Sequence, residues 1–247
     1  NTVFEEKIGK KAQNLLELAA AGFNVPHFSV ITNRYFKEVI LKEIKMYNQE
    51  AGNNDEIKDW NAVFSGNTER KIENIIRIIK NHKIKEEFEK EIENALNEES
   101  YYAVRSSSIE EDSSNFSFAG QFETYLYVKK ENMLEKIKEV WISSFSNHVM
   151  KYRKEGKINN EINVPAVIIQ EMVNSEKAGV GFSVNPVNNN YDEVVISGTF
   201  GLGTSIVDGD ENGDLFIYNK ETKEIKKEIG IKKVKQSLDF ENHGIKV

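Results

Sequence analysis

The stretch Tyr101–Ser108 reads Tyr-Tyr-Ala-Val-Arg-Ser-Ser-Ser, and it marks a change in the character of the chain. Its first four residues are aromatic or apolar, which is typical of a short buried strand. The residues before this stretch favour amphipathic helices, and the residues after it contain closely spaced strand patterns. The sequence therefore predicts an α+β protein with a helix-rich first part and a sheet-rich second part.

Apolar residues at helical spacing predict helices on both sides of this stretch. Glycine readily adopts the left-handed conformation common at helix ends, so Gly22 is expected to end the first helix. We expect residues 48–66 to form a loop with short pieces. The predicted helices cover residues 9–22, residues from 32 or 33 through 41 and beyond, residues 69–80, residues 83–97 and Met133 to Tyr152.

Runs of β-branched and aromatic residues predict the strands. Turns at Asn188–Asn190 and at Asn212-Gly213 are expected to join the later ones. The predicted strands are Phe28–Ile31, Tyr101–Val104, Phe122–Val128, Val164–Val173, Ala178–Val184, Asp192–Ser197 and Asp214–Tyr218.

Composition excludes several classes of protein. The chain of 247 residues has no cysteine, which excludes a disulfide scaffold, a thiolate metal site and a catalytic cysteine. No apolar run approaches the roughly 20 residues that a bilayer crossing requires, so we expect no membrane partner. The four histidines stand in unrelated contexts without the spacing of metal ligands. The absence of cysteine also fits a cytoplasmic location.

Charge gives little sign of a polyanionic partner. The formal net charge is -7, whereas nucleic-acid binders usually carry a basic face, so we expect no nucleic-acid partner. The lysines between Lys223 and Lys235 alternate with isoleucine, glutamate and glycine. They are interpreted as the solvated side of strands or short helices.

Two segments place cations where an anion can bind. Gly9-Lys10-Lys11 opens a predicted helix, where free N–H groups and an ammonium attract negative charge; the alternative is a surface lysine. Arg105 emerges from the buried strand and precedes Ser106–Ser108. A guanidinium group donates two parallel hydrogen bonds to a phosphate, and hydroxyls can donate to the same oxygens. The alternative is a structural arginine paired with the acidic run Glu110–Asp112.

Three further segments fit either a ligand site or ordinary structure. Ser117–Thr124 permits a tight loop that presents consecutive N–H groups to an anion, or a hairpin turn. Ala166–Val173 is an apolar strand that ends in a polar pair. One interpretation is that this strand supplies the apolar slot and backbone edge that adenine needs. The alternative is a core strand with an exposed end. Phe200–Gly203 brings its backbone close to a ligand, or it forms a turn.

Taken in this order, the segments resemble the N-terminal ATP-binding region shared by phosphoenolpyruvate synthase, pyruvate phosphate dikinase and rifampin phosphotransferase. The family's Ser-Phe-Ala-Gly-Gln is present unchanged at Ser117–Gln121. The resemblance is weakest over residues 48–98. The other matching segments are Gly9–Leu15, Ala21–Pro26, Ala103–Asp112, Ile168–Val173, Ala178–Pro186 and Gly201–Gly203.

The resemblance implies an ATP-grasp-like fold of two lobes with the nucleotide between them. It implies that Lys11 and Arg105, the expected catalytic residues, hold the ATP phosphates together with Ser106. A loop is expected to fold over the phosphates; its residues are Gly120, Gln121, Phe122, Glu123 and Thr124. The residues expected to line the adenine pocket are Gln170, Glu171, Met172 and Val173. Residues 1–100 would be a helix-rich part, 101–165 the first-lobe strands with the phosphate loop, and 166–247 the second lobe.

The implied function is the ATP-binding step of a dikinase-type phosphotransferase. The favoured reaction converts ATP, pyruvate and water into AMP, phosphoenolpyruvate and phosphate through a phosphohistidine. Rifampin as acceptor is the close alternative, and a non-catalytic nucleotide-binding module is the alternative of another class. The expected cofactors are ATP and Mg²⁺, with the Mg²⁺ ligands beyond residue 247. The expected partners are downstream phosphohistidine and substrate domains, so the piece alone is expected to be inactive.

Overall fold

The computed structural model describes residues 2–50, 59–108, 123–155, 162, 164–204, 206, 213–241 and 244–246. The chain divides into two compact units, Asn1–Met172 and Val173–Val247. Each unit contains a four-stranded antiparallel sheet. Among the described residues, no helix has both the length and the apolar character needed to span a membrane.

The helices with described bounds lie in the first unit, and Thr204 and Ile206 of the second unit also have helical backbone. A π-helical segment, Phe36–Ile40, joins the second helix to the third, and Lys130–Asn132 forms a 3₁₀ turn. The helices are α1 (Thr2–Ala20), α2 (Asn33–Tyr35), α3 (Leu41–Glu50), α4 (Trp60–Phe64), α5 (Thr68–Asn81), α6 (Glu86–Asn94), α7 (Met133–Ser143) and α8 (Asn147–Glu155).

Most predicted helices are confirmed, but two have other bounds. The first was expected over residues 9–22, whereas it runs from Thr2 to Ala20 with a kink at Gly9. Met133 to Tyr152 was expected to be a single helix, whereas the chain leaves the helix after Ser143 and resumes it at Asn147. The reason is local hydrogen bonding. The hydroxyl of Ser146 accepts the N–H of Val149 at 3.4 Å, as a capping serine does at the start of a helix. Phe145, between the two helices, is 1% exposed and packs into the core.

The first sheet has the strand order β1-β4-β2-β3. Its strands are β1 (Phe28–Ile31), β2 (Tyr102–Ser107), β3 (Thr124–Val128) and β4 (Ala166–Glu171). The antiparallel register places Arg105 opposite Ile168 and Phe28 opposite Gln170. Because β4 pairs with both β1 and β2, the division between the units falls after Met172 rather than before residue 166.

The two faces of this sheet have different coverings, because successive side chains of a strand point to opposite faces. Val104, Val167 and Ile169 pack on one face into the large helical core, with Trp60 and Trp141 among its buried residues. On the other face, α1 packs a smaller cluster made of Ile8, Ala12 and Ile168, with Leu15, Phe28 and Val30 around it. Arg105 belongs to this second face by alternation from Val104.

The second unit has the strand order β5-β6-β7-β8, followed by the hairpin β9-β10. The strands are β5 (Lys177–Phe182), β6 (Glu193–Phe200), β7 (Asp214–Asn219), β8 (Ile225–Glu228), β9 (Ser237–Asp239) and β10 (Gly244–Lys246). All four residues of β8 are exposed, as expected for the lysine-rich segment. Lys232 is an exception to that interpretation, since its side chain is 7% exposed and pairs with Asp214.

Replacement of Gly9 by alanine is expected to destabilise the first unit. Gly9 has a φ of +70°, and an added Cβ would lie 2.4 Å from the carbonyl oxygen of Ser107. Gly22 is a matched control, because its φ is +83° but an added Cβ would meet no atom within 4 Å. Gly22→Ala is expected to cost about 1–2 kcal/mol from left-handed strain alone. Gly9→Ala is expected to cost about 1–3 kcal/mol more. Chemical denaturation measures both, and equal losses would contradict this packing.

The Lys232–Asp214 pair predicts acid sensitivity. The pKa of the Asp214 carboxyl lies below its ordinary value because Lys232 donates a hydrogen bond to it, with a further one from the Gly230 N–H. A carboxyl with a lowered folded-state pKa contributes stability above its unfolded pKa and loses it as the pH falls. Asp214→Asn should therefore reduce the drop in melting temperature below pH 4. A parallel fall of both proteins over that range would argue against the pair.

Candidate functional site

Arg105 lies on the face of the first sheet that α1 covers in part. Its side chain is half-buried, and one terminal nitrogen donates to Oε1 of Gln170 at 3.3 Å. Gln170 reaches it because β4 runs beside β2, where it lies opposite Ala103, two residues before Arg105. The two residues were predicted to act on different parts of a nucleotide, and the fold brings them into contact. The amide is neutral, so this contact does not itself compensate the guanidinium charge.

The turn that carries Lys11 is fixed against the end of β2. The chain kinks at Gly9, and the N–H of Ala12 then donates to Oγ of Ser107 at 3.0 Å. Ser107 follows Arg105 by two residues and shares its face by alternation. The α1 turn and the Arg105 strand are therefore joined through one serine. Lys11 is half-buried at this position, whereas Lys10 is exposed.

Ser107 has a role that the sequence argument missed. The N–H of Ala12 was expected to be among the free donors at the start of a helix, but it is hydrogen-bonded to the Ser107 hydroxyl. This role could have been predicted from the alternation of side chains along a strand. Alternation places Ser107 on the same face as Arg105 and Ser106 on the opposite face. Ser106 is 0% exposed on the opposite face, and its Oγ has no hydrogen-bond partner among the described residues.

The predicted phosphate loop is described only at its end. Gly120, Gln121 and Phe122 lie outside the described residues, as does the acidic run at residues 110–112. Glu123 and Thr124 are exposed. Thr124 begins β3 opposite Arg105, so the loop joins the sheet beside the arginine.

The predicted adenine-pocket segment is anchored in the first unit by its main chain. The N–H of Glu171 donates to the carbonyl of His27 at 2.9 Å, and that of Met172 to the carbonyl of Tyr101 at 2.8 Å. The Glu171 carboxylate accepts a hydrogen bond from the Ser100 hydroxyl at 2.6 Å. Val173 begins the second unit and is 58% exposed. The four residues therefore span the junction of the two units in sequence.

Within the second unit, the turn at Phe200–Gly203 needs its glycine for contact with protein. Gly201 has a φ of +77°, and an added Cβ would lie 2.1 Å from the carbonyl oxygen of Gln236. That carbonyl accepts the N–H of Leu202 at 2.9 Å. This contact accounts for the glycine without a ligand, which favours the turn interpretation.

Among the described residues there is no group of three or more histidine, cysteine, aspartate or glutamate side chains that could hold a metal ion. Chemically, the described part of this face offers the Arg105 guanidinium, the Ser107 hydroxyl and the Gln170 amide, and the turn that carries Lys11 is bound to Ser107. These groups suit an anion whose oxygen atoms accept hydrogen bonds, such as a phosphate.

Three relatives show what the chain is similar to. It is 36% identical over 230 residues to the uncharacterized phosphotransferase YvkC of Bacillus subtilis. That match covers 92% of this chain and 25% of the relative. It is 35% identical over 225 residues to a probable phosphoenolpyruvate synthase of Methanocaldococcus jannaschii. That match covers 88% of this chain and 19% of the relative. It is 34% identical over 264 residues to the phosphoenolpyruvate synthase of Pyrococcus furiosus. That match covers 92% of this chain and 32% of the relative.

The chain thus spans between about a fifth and a third of these relatives. The family described as "Pyruvate phosphate dikinase, AMP/ATP-binding domain" matches residues 5–247, almost the whole chain. The resemblance seen in the sequence is confirmed: the chain belongs to the family of pyruvate phosphate dikinase AMP/ATP-binding domains.

Proposed function

We propose that this chain binds ATP as the nucleotide-binding region of a longer dikinase-type phosphotransferase, with pyruvate as the final acceptor. The observation that carries the proposal is the joining of the Lys11 turn to the Arg105 strand through Ser107. It supports the convergence of two cations on one triphosphate. Family membership supports ATP as the ligand.

The names of relatives support pyruvate as the proposed acceptor. Two of those compared are called phosphoenolpyruvate synthases, which favours pyruvate over rifampin. In the proposed reaction, ATP, pyruvate and water give AMP, phosphoenolpyruvate and phosphate through a phosphohistidine. The phosphohistidine and the acceptor site belong to other domains of the longer protein, and we propose that this region acts in the cytoplasm.

Arg105 and Lys11 are proposed to bind the phosphate oxygens. The guanidinium offers a planar fork of donors, and its hydrogen bond to Gln170 holds it without cancelling its charge. Phosphoryl transfer depends mainly on positioning and on neutralising charge, and these residues supply both. Ser106 is left out of the proposed phosphate contacts, because its hydroxyl is 0% exposed on the opposite face of the sheet from Arg105.

The rest of the proposal comes from the resemblance. The Gly120–Thr124 loop would close over the phosphates, and Gln170–Val173 would line the adenine. The fold is proposed to be ATP-grasp-like, with two lobes and the nucleotide between them. Among the described residues there is no group of three or more acidic or histidine side chains for the proposed Mg²⁺, whose ligands would come from elsewhere in the longer protein.

Addition of Mg-ATP to this chain is expected to raise its thermal stability. A ligand that binds only the folded state at 100 times its dissociation constant stabilises it by about 2.7 kcal/mol. Arg105→Ala and Lys11→Ala are each expected to weaken ATP binding about 10- to 100-fold, since each removes a charge-assisted contact. Their melting temperatures without nucleotide should stay close to that of the parent.

Lys10→Ala is the matched control for these variants. It removes a neighbouring lysine that is exposed, and it is expected to keep ATP affinity within about twofold of the parent, because an exposed charge acts weakly through water. Calorimetric titration measures all four proteins. Equal ATP affinities for the parent and the Arg105 and Lys11 variants would refute the phosphate assignment, and a parent that binds no ATP would refute the proposed function.

A further inference from the structure

The pairing of β2 with β3 contains an irregularity near the end of β4. Tyr102 lies opposite Val128, but Val104 lies opposite Tyr125, so β3 has one more residue than β2 between these pairs. This is a β-bulge. Within it, Tyr127 has a φ of +61°, in the left-handed region that a bulky side chain rarely adopts.

The bulge redirects a backbone donor. The N–H of Tyr127 donates to the sulfur of Met172 at 3.2 Å. Left-handed backbone at a tyrosine costs energy and persists only where its surroundings hold it, and such outliers cluster at functional sites. The Tyr127 hydroxyl is buried with no hydrogen-bond partner among the described residues, so that hydroxyl does not explain the conformation.

Met172 is thereby fixed at two points. Its N–H donates to the carbonyl of Tyr101, and its sulfur accepts the N–H of Tyr127. A methionine side chain has three rotatable bonds and otherwise samples many conformers. The second contact holds the thioether in one place at the last residue of the first unit.

We infer that Tyr127 is a positioning residue for nucleotide recognition: its left-handed bulge holds the Met172 thioether in the conformation that packs against the base. The inference rests on the proposed function, which assigns Met172 to the adenine pocket. A side chain that is ordered before binding loses less conformational freedom when the ligand binds. Such ordering is expected to improve ATP affinity about three- to tenfold. Ligands without a base should gain nothing from it.

The test compares Tyr127→Val with Tyr127→Gly. Both remove the ring and hydroxyl, but only glycine accepts a positive φ without strain. Affinities for ATP and for inorganic tripolyphosphate are measured by calorimetry. Tyr127→Val is expected to lower ATP affinity about three- to tenfold relative to tripolyphosphate, and Tyr127→Gly is expected to leave that ratio unchanged. In a Met172→Leu background, Tyr127→Val should have no further effect on the ratio.

A spectrum of methyl-labelled methionine gives a readout that needs no nucleotide. The chain has four methionines, and loss of one signal in Met172→Leu identifies Met172. That signal should shift or broaden in Tyr127→Val and remain in place in Tyr127→Gly. If Tyr127→Val does not fold, Tyr127→Ala takes its place in both measurements, because alanine also carries a Cβ that disfavours a positive φ.

Each contrary result overturns a distinct claim. Equal losses for ATP and tripolyphosphate, or the same effect of Tyr127→Val with and without Met172, would overturn the positioning role while ATP binding stands. An unchanged Met172 signal in Tyr127→Val would do the same. A parent protein that binds tripolyphosphate and ATP equally well would overturn the assignment of Met172 to the base. A parent that binds neither would overturn the proposed function, and this inference with it.

Discussion

The hydrogen bond from the Ala12 N–H to the Ser107 hydroxyl is the contact on which the candidate site depends. It requires the kink at Gly9, where the backbone passes so close to Ser107 that a side chain would not fit. Ser107 is 1% exposed, so water competes little for this bond. Because Ser107 and Arg105 share a strand and a face, fixing the α1 turn on one also fixes Lys11 relative to the other.

Strand β4 connects this contact to the rest of the first unit. Val167 and Ile169 anchor one side of it in the helical core, while Ile168 packs under α1 on the other side. Its last residues then turn polar, with Gln170 bound to Arg105 and Glu171 bound to Ser100. One strand therefore serves as core, as partner of the arginine, and as the approach to the junction between the units. This combination explains why an apolar run ends so abruptly in glutamine and glutamate.

Much of this arrangement could be predicted from sequence, because it follows from local patterns. The isoleucines of α5 at positions 75, 78 and 79 are buried at the spacing that predicts a helix. Ordered motifs indicated the family, which the comparison confirmed. Long-range contacts could not be predicted. The contact between Gly9 and Ser107 joins residues 98 positions apart, and nothing local to either one announces it.

The partners of individual side chains could not be predicted from the sequence either. Ser106 and Ser107 look equivalent in sequence, yet alternation sends one into the helical core and the other onto α1. Lys232 looks like its solvated neighbours, yet it is the one whose side chain meets Asp214. The bulge at Tyr127 has no glycine or asparagine to signal a positive φ. In each case the deciding partner comes from a distant segment, so the chain must be folded before the role is visible.

Ser107 is proposed to act on the ligand through the turn that carries Lys11. The most direct test measures ATP affinity for Ser107→Ala in the parent and in a Lys11→Ala background. Ser107→Ala is expected to weaken ATP binding about fivefold in the parent, because one hydrogen bond is lost, and to have little effect once Lys11 is absent. The same loss in both backgrounds, or no loss in either, would contradict it.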